Sequence, residues 1–152
     1  MAEEPLDPIL LQVTIPLPVS MIYDAFVEAG KITGWLADRA TVELRVGGAY
    51  RLAWDAPERF DSDGRIIAFH REVDLDFTWQ FPPAFRALEG DRAEPSHVYV
   101  RLQESPEGID VTLEHAGWAS GPRWEDARSW HFHFWDERLR RLKEYLIAEA
   151  YG

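Results

Sequence analysis

Cysteine is absent from the 152 residues. Its absence removes disulfides, thiol nucleophiles and thiolate-based zinc or iron-sulfur sites, and leaves the redox compartment unconstrained. Apolar runs are short. A charge or a proline interrupts each one before the roughly 18 residues of a membrane helix, so no membrane span is expected. Positive charge is scarce, with 16 Lys and Arg against 27 Asp and Glu and a net charge of −11. That surplus repels phosphate backbones and anionic lipid, so neither nucleic acid nor a membrane surface is an expected partner. Met1-Ala2-Glu3-Glu4-Pro5 has neither the basic region nor the apolar core of a secretion signal, and cytoplasmic residence is expected. Glycine-rich phosphate loops and a nucleophile turn with Ser-His-Asp order are missing too, and no cofactor is expected.

Apolar residues make up 46% of the chain and aromatic residues 13%, with seven Trp, five Tyr and eight Phe. This is ample for the core of one domain, and the length fits a single domain of about 100 to 200 residues. Leu11, Val13 and Ile15 alternate with Gln12 and Thr14, the period of a strand with one buried face. Val19 to Ala29 spaces Ile22, Tyr23, Phe26 and Val27 as a helix, with Ser20 as N-cap and Gly30 as its stop. A second short helix is expected over Lys31 to Leu36. Short strands follow at Ala40 to Arg45, Ala49 to Trp54 and Arg65 to Phe69, with Gly47-Gly48 and Asp61-Ser62-Asp63-Gly64 as turns. Val73 to Phe81 alternates apolar residues with Asp74, Asp76, Thr78 and Gln80, and a further hairpin joins Ser96 to Gln103 with Ile109 to His115.

The last element is a helix from about Pro122 to about Ala150. At about 100° per residue, Trp124, His131, Trp135, Leu139, Leu142 and Leu146 share one stripe that should face the sheet, with Ala127 and Tyr145 at its margin. Strand, two short helices, about six antiparallel strands and one long helix make an α+β order. A curved antiparallel sheet gripping the long C-terminal helix accounts for it, and a generic α+β domain without a cavity remains the alternative.

Three segments resemble one known family. Val19-Ser20-Met21-Ile22-Tyr23-Asp24-Ala25-Phe26 leading to Ile32-Thr33-Gly34-Trp35-Leu36 resembles its opening helix pair. Val46-Gly47-Gly48-Ala49-Tyr50-Arg51-Leu52 resembles its glycine-punctuated strand start. Val111 to Trp118, with Trp124 and the helix end Arg141-Leu142-Lys143-Glu144-Tyr145-Leu146, resembles its closing strand and helix. The family is the branch of the START-like, birch-pollen-allergen-like (SRPBCC) superfamily similar to the activator of the heat-shock protein 90 ATPase, and the resemblance spans roughly residues 8 to 148. It implies a helix-grip fold whose sheet and helix enclose a cavity for apolar small molecules, and it implies little about activity. Pro82 to Pro95 departs from the family's short turn. Phe85 and Leu88 there either cap the cavity mouth as a lid or belong to a solvent loop.

The inward faces bring Tyr50, Trp54, Phe69, Phe77, Trp79, Leu113, Trp124 and Trp135 toward one space, where they either wall a ligand cavity or fill the core. His115 and His131 also point inward and either contact a ligand or act as satisfied core residues. Tyr23 is a further hydroxyl candidate. No metal site is expected: His131 and His133, at i and i+2 on a helix, sit about 200° apart, and Asp74 and Asp76 suit a solvated sheet surface. The main expectation is a domain that binds an apolar, aromatic or lipid-like small molecule. One alternative is a cyclase-like or hydratase-like enzyme using a cavity histidine. The other is a co-chaperone-like interaction domain, or a homodimer, that uses Trp130 and Phe134, which lie off the helix stripe.

Overall fold

Period-two alternation sends one face of each long strand inward, and the structure follows it. A computed structural model describes residues 4–90 and 94–152. The elements are β1 (Ile9–Ile15), α1 (Val19–Val27), α2 (Ala29–Ile32), β2 (Arg39–Val42), β3 (Ala49–Trp54), β4 (Phe60–His70) and β5 (Asp74–Trp79), a 3-10 turn (Pro83–Phe85), then α3 (Arg86–Glu89), β6 (Ser96–Ser105), β7 (Gly108–Ala116) and α4 (Pro122–Tyr151). The strands form one seven-stranded antiparallel sheet in the order β1-β7-β6-β5-β4-β3-β2. This curved sheet with its long C-terminal helix and its short helices after β1 is a helix-grip fold.

Register aligns the buried face across the strands. Phe77 of β5 sits opposite Val98 of β6, Val98 opposite His115 of β7, and His115 opposite Ile9 of β1. Pro122 takes the start of α4, and Trp124, Ala127, His131, Trp135, Leu139, Leu142 and Leu146 are its buried residues. That is the stripe expected from its phase, with Ala127 moved from the margin to the interior.

Several local expectations are corrected. Asp61-Ser62-Asp63-Gly64 is no turn, because β4 runs unbroken from Phe60 to His70. Gly64 serves a close approach instead: a Cβ there would collide with the Thr78 carbonyl oxygen and lie 2.9 Å from the Tyr50 carbonyl oxygen. Ser20 makes no cap; α1 begins after Pro18 and ends at extended Glu28, and Gly30 lies inside α2 rather than stopping α1. Trp35 and Leu36 follow α2 as buried turn residues, with the Trp35 indole N–H donating to the Ala25 carbonyl at 2.9 Å. β2 ends at Val42, before Gly47, whose φ of 81° is a left-handed turn conformation. Val73 precedes β5 and is exposed, whereas Phe81, beyond its end, is buried. Pro82 to Gly90 holds the 3-10 turn and α3, with Phe85 and Leu88 packed against the core, while residues 91–93 of that segment lie outside the described residues.

Replacing Gly64 with alanine should force β4 away from these carbonyls and lower the unfolding free energy by about 1–3 kcal/mol, the range for overpacked sites. Urea unfolding checks this. A midpoint equal to that of the parent protein would show that the strands spread without cost.

Candidate functional site

The parts of β5, β6 and β7 that face α4 carry polar groups inside an apolar shell. Trp79 ends β5, Ser96 opens β6 directly opposite it, and His115 comes from β7. His131 and Trp135 project from α4, and Trp118 from the segment between β7 and α4. All six are buried, His115 and His131 completely.

Their hydrogen bonds fix the protons. A carbonyl only accepts, so His131 Nδ1–H donates to the Ala127 carbonyl at 2.7 Å, and its bare Nε2 accepts the Trp79 indole N–H at 3.0 Å. An indole N–H only donates, so His115 Nδ1 is bare and accepts from Trp135 at 3.0 Å, while His115 Nε2–H donates to Ser96 Oγ at 3.0 Å. The Ser96 hydroxyl donates to the Trp79 carbonyl at 3.4 Å, and the Trp118 indole N–H donates to the His115 carbonyl at 2.8 Å. The two imidazoles meet edge to face, with ring centroids 5.2 Å apart.

Both rings are held neutral. Burial, reinforced by the facing His131, pushes His115 well below the usual histidine range. Burial brings His131 down to about 4 despite the favourable Ala127 carbonyl. A general base needs a bare nitrogen that substrate can reach. Here each bare nitrogen is already filled by an indole, so the pair joins sheet to helix.

The remaining candidates separate into neighbourhoods. Trp54 stands against Trp79 at 5.8 Å between ring centroids and sends its own N–H to the Leu36 carbonyl at 2.9 Å. Tyr50 stacks on Phe77 at 4.0 Å, and its hydroxyl donates to the Phe26 carbonyl at 2.6 Å, away from the histidines. The Tyr23 hydroxyl likewise donates to the Asp74 carbonyl at 3.0 Å. Leu113 is buried and Trp124 lies against Phe81 at 5.8 Å. Phe69 is half-buried and packs against the core, opposite Leu75 beyond the bulge between Ile66 and Ala68. Among these residues, Trp79, His115, His131 and Trp135 are brought together with each other. Ser96, Phe81 and Trp118 join them unanticipated. The inward parity that Ser96 shares with Val98 and Val100 was the available signal.

These rings touch one another. The clefts that open on the described surface include one of about 250 Å³ between α4 and residues 33–38 and 54–57, and one of about 550 Å³ beside Leu6, Arg128 and Phe132. Neither is lined by His115, His131 or Trp135. On the outer face, Asp74 accepts from the Tyr99 hydroxyl and pairs with His70, and Asp76 pairs with His97. Among the described residues no three metal-ligating side chains gather. Among the described residues no helix is long and apolar enough to cross a membrane.

Acid should expose the neutrality of the histidines. An unfolded histidine protonates near 6.5, so its folded-state neutrality costs nothing above that pH. As pH falls from 6.5 toward about 4, the unfolded chain gains protons that folded His131 refuses, and stability drops by about 1.4 kcal/mol per pH unit. Urea unfolding at pH 7 and pH 5 should show a larger loss for the parent protein than for His131→Phe. Equal losses would mean that the buried ring takes up a proton freely.

The wider likeness agrees with this architecture. A comparison with curated protein sequences finds no match. Among solved structures, a protein of Nitrosomonas europaea superposes with a TM-score of 0.76 at 18% identity, covering 94% of this chain and 96% of its own. A protein of Mesorhizobium loti reaches 0.75 at 19% identity, covering 93% and 97%. The Aha1 dimer from Colwellia psychrerythraea reaches 0.74 at 14% identity, covering 93% and 96%. The model of the family described as Activator of Hsp90 ATPase homolog 1-like protein matches residues 16–147. With that span matched and the helix grip in place, this chain belongs to the Activator of Hsp90 ATPase homolog 1-like family, a START-like (SRPBCC) domain.

Proposed function

We propose that this chain binds a small apolar molecule, aromatic or lipid-like, which enters through a half-exposed mouth of aromatic rings. The observation that supports this reading is a continuous run of rings from surface to centre. Trp130, 36% exposed, stacks on Phe134 at 5.3 Å and 13° and meets Phe60 at 6.2 Å and Phe85 at 6.3 Å. Behind Trp130 lies His131 at 4.8 Å, and behind His131 lies Trp79 at 6.0 Å. Flat, weakly polar walls suit a flat or greasy occupant, whose buried apolar surface contributes about 25 cal/mol per Å².

The interior is already packed, so the occupant displaces rings at the mouth. Phe85 is the movable one. Its segment is tied down by Arg86 donating to the carbonyls of Phe81 and Asp61 and by Arg123 donating to the carbonyl of Ala84, the last two bonds being exposed to solvent. That gives residues 82–90 the character of a lid. Catalysis by a cavity histidine, as in a cyclase or hydratase, would require His115 or His131 to shed its indole donor first. The filled hydrogen bonds favour the binder.

A second reading has its own observation. Trp130 is exposed for a large apolar residue, at 36%, and stacks on the half-buried Phe134 one turn along α4. The Colwellia relative is described as a dimer, and a second copy or another protein partner docked through Trp130 and Phe134 would cover the same rings.

Thermal unfolding with flavonoid, polyketide and fatty-acid probes tests the binder. At least one class should raise the midpoint, and Trp130→Ala should abolish the rise. If no probe moves either the midpoint or the Trp130 indole resonance, the binder reading is wrong. A doubled mass in light scattering that Trp130→Ala returns to monomer would assign the rings to a second copy.

A further inference from the structure

We propose that the cleft between α4, the turn at residues 33–38 and the segment at residues 54–57 is a binding site for a small organic monocarboxylate, with its carboxylate on Arg138. This site is separate from the aromatic mouth and stands on different observations.

Arg138 follows Phe134 by one helical turn and lays its guanidinium carbon 4.9 Å from the centre of that ring. The residue is half-buried, and its Nε is shielded from solvent with no hydrogen-bond partner among the described residues. Nearby acids are engaged elsewhere. Glu137 lies 2.7 Å from Arg141, and Asp38 Oδ2 accepts the Asp55 amide N–H at 2.7 Å. A partly desolvated guanidinium with an unfilled N–H is costly. The cost is conspicuous in a chain of net charge −11, where Arg39, Arg51, Arg71 and Arg140 each pair with an aspartate. Burial, with the repulsion of Arg141 added, pulls the Arg138 pKa down against the smaller opposing pull of Glu137 and Asp38, the direction an incoming anion would reverse.

The cleft supplies the rest of the recognition. Its volume is about 250 Å³, and Trp35, Trp54, Ala37 and Pro57 line it together with Arg138 and Arg141. Arg138 and Arg141 are three residues apart on α4 and share a side of the helix. A guanidinium fork matches the planar, two-oxygen geometry of a carboxylate, and the indole and proline walls suit a flat apolar body. The space lies below the roughly 300 Å³ at which drug-sized pockets begin, which limits the ligand to a single ring or a short chain. Asp38 and Glu137 also line the cleft, so a doubly charged phosphate ester meets about twice the repulsion that a monocarboxylate does.

Benzoate, its neutral isostere benzamide and inorganic phosphate are the probes, followed by calorimetry and by ¹H–¹⁵N spectra of the full chain. Benzoate should bind saturably and shift the Arg138 Nε–H and Trp54 indole resonances, whereas benzamide and phosphate should do neither. Arg138→Gln should weaken benzoate about tenfold or more, as expected for a lost charge-assisted hydrogen bond, with Arg138→Lys in between. Unchanged affinity in Arg138→Gln, equal binding of benzamide or phosphate, or benzoate shifts confined to exposed arginines would each overturn the proposal. Should Arg138→Gln lose the fold, the parent spectra decide. A saturable Arg138 shift with benzoate alone supports the site, and a Kd above about 10 mM removes it.

Discussion

Two neutral imidazoles, each accepting an indole N–H, hold the curved sheet to α4. Trp79 and Trp135 bring their N–H groups into an interior that is otherwise largely hydrocarbon, where an unpaired donor costs about 1–3 kcal/mol. His131 and His115 supply the acceptors, and they do so only in the neutral form and only in one tautomer each. The opposite nitrogens are then obliged to donate, and Ala127 and Ser96 receive them. β5, β6, β7 and α4 are therefore joined by one connected network in which every member limits the others. Ring packing follows the same geometry, with Trp79 in contact with His115, His131 and Trp135 at once.

Satisfying the centre so completely moves the available chemistry outward. Groups with unspent capacity lie along α4 near its surface. Trp130 and Phe134 offer ring faces on one side, and Arg138 carries an Nε without a hydrogen-bond partner one turn further along. The helix thus has a buried inner stripe and a partly exposed aromatic edge, and Phe134 stands between them, touching Trp54 and Trp135 inward and Trp130 outward.

Much of the framework was legible because the signals are local. Tyr50, Leu52 and Trp54 alternate inward as read, and the α4 stripe follows directly from its angular phase. β4 was misread because Gly64 looks like a turn residue along the chain, and only the neighbouring Thr78 carbonyl explains why no side chain fits. Phe69 reaches the core side out of phase with Ser62, Gly64 and Ile66, because the Ile66/Ala68 bulge in the pairing with β5 seats it opposite Leu75. Ser96 carried the right parity but no feature that marks a serine as a histidine's partner. The seat of Trp118 depended on how the β7–α4 segment closes over His115.

The sequence by itself determined the element order, the inward direction of His115 and His131, and the acidic, cysteine-free surface, because composition and periodicity are properties of neighbouring residues. Tertiary structure decided what those inward groups do. Whether two histidines catalyse or only connect depends on which donors reach their nitrogens across 52 residues from Trp79 to His131 and 20 from His115 to Trp135, and chain-local patterns carry no record of that meeting.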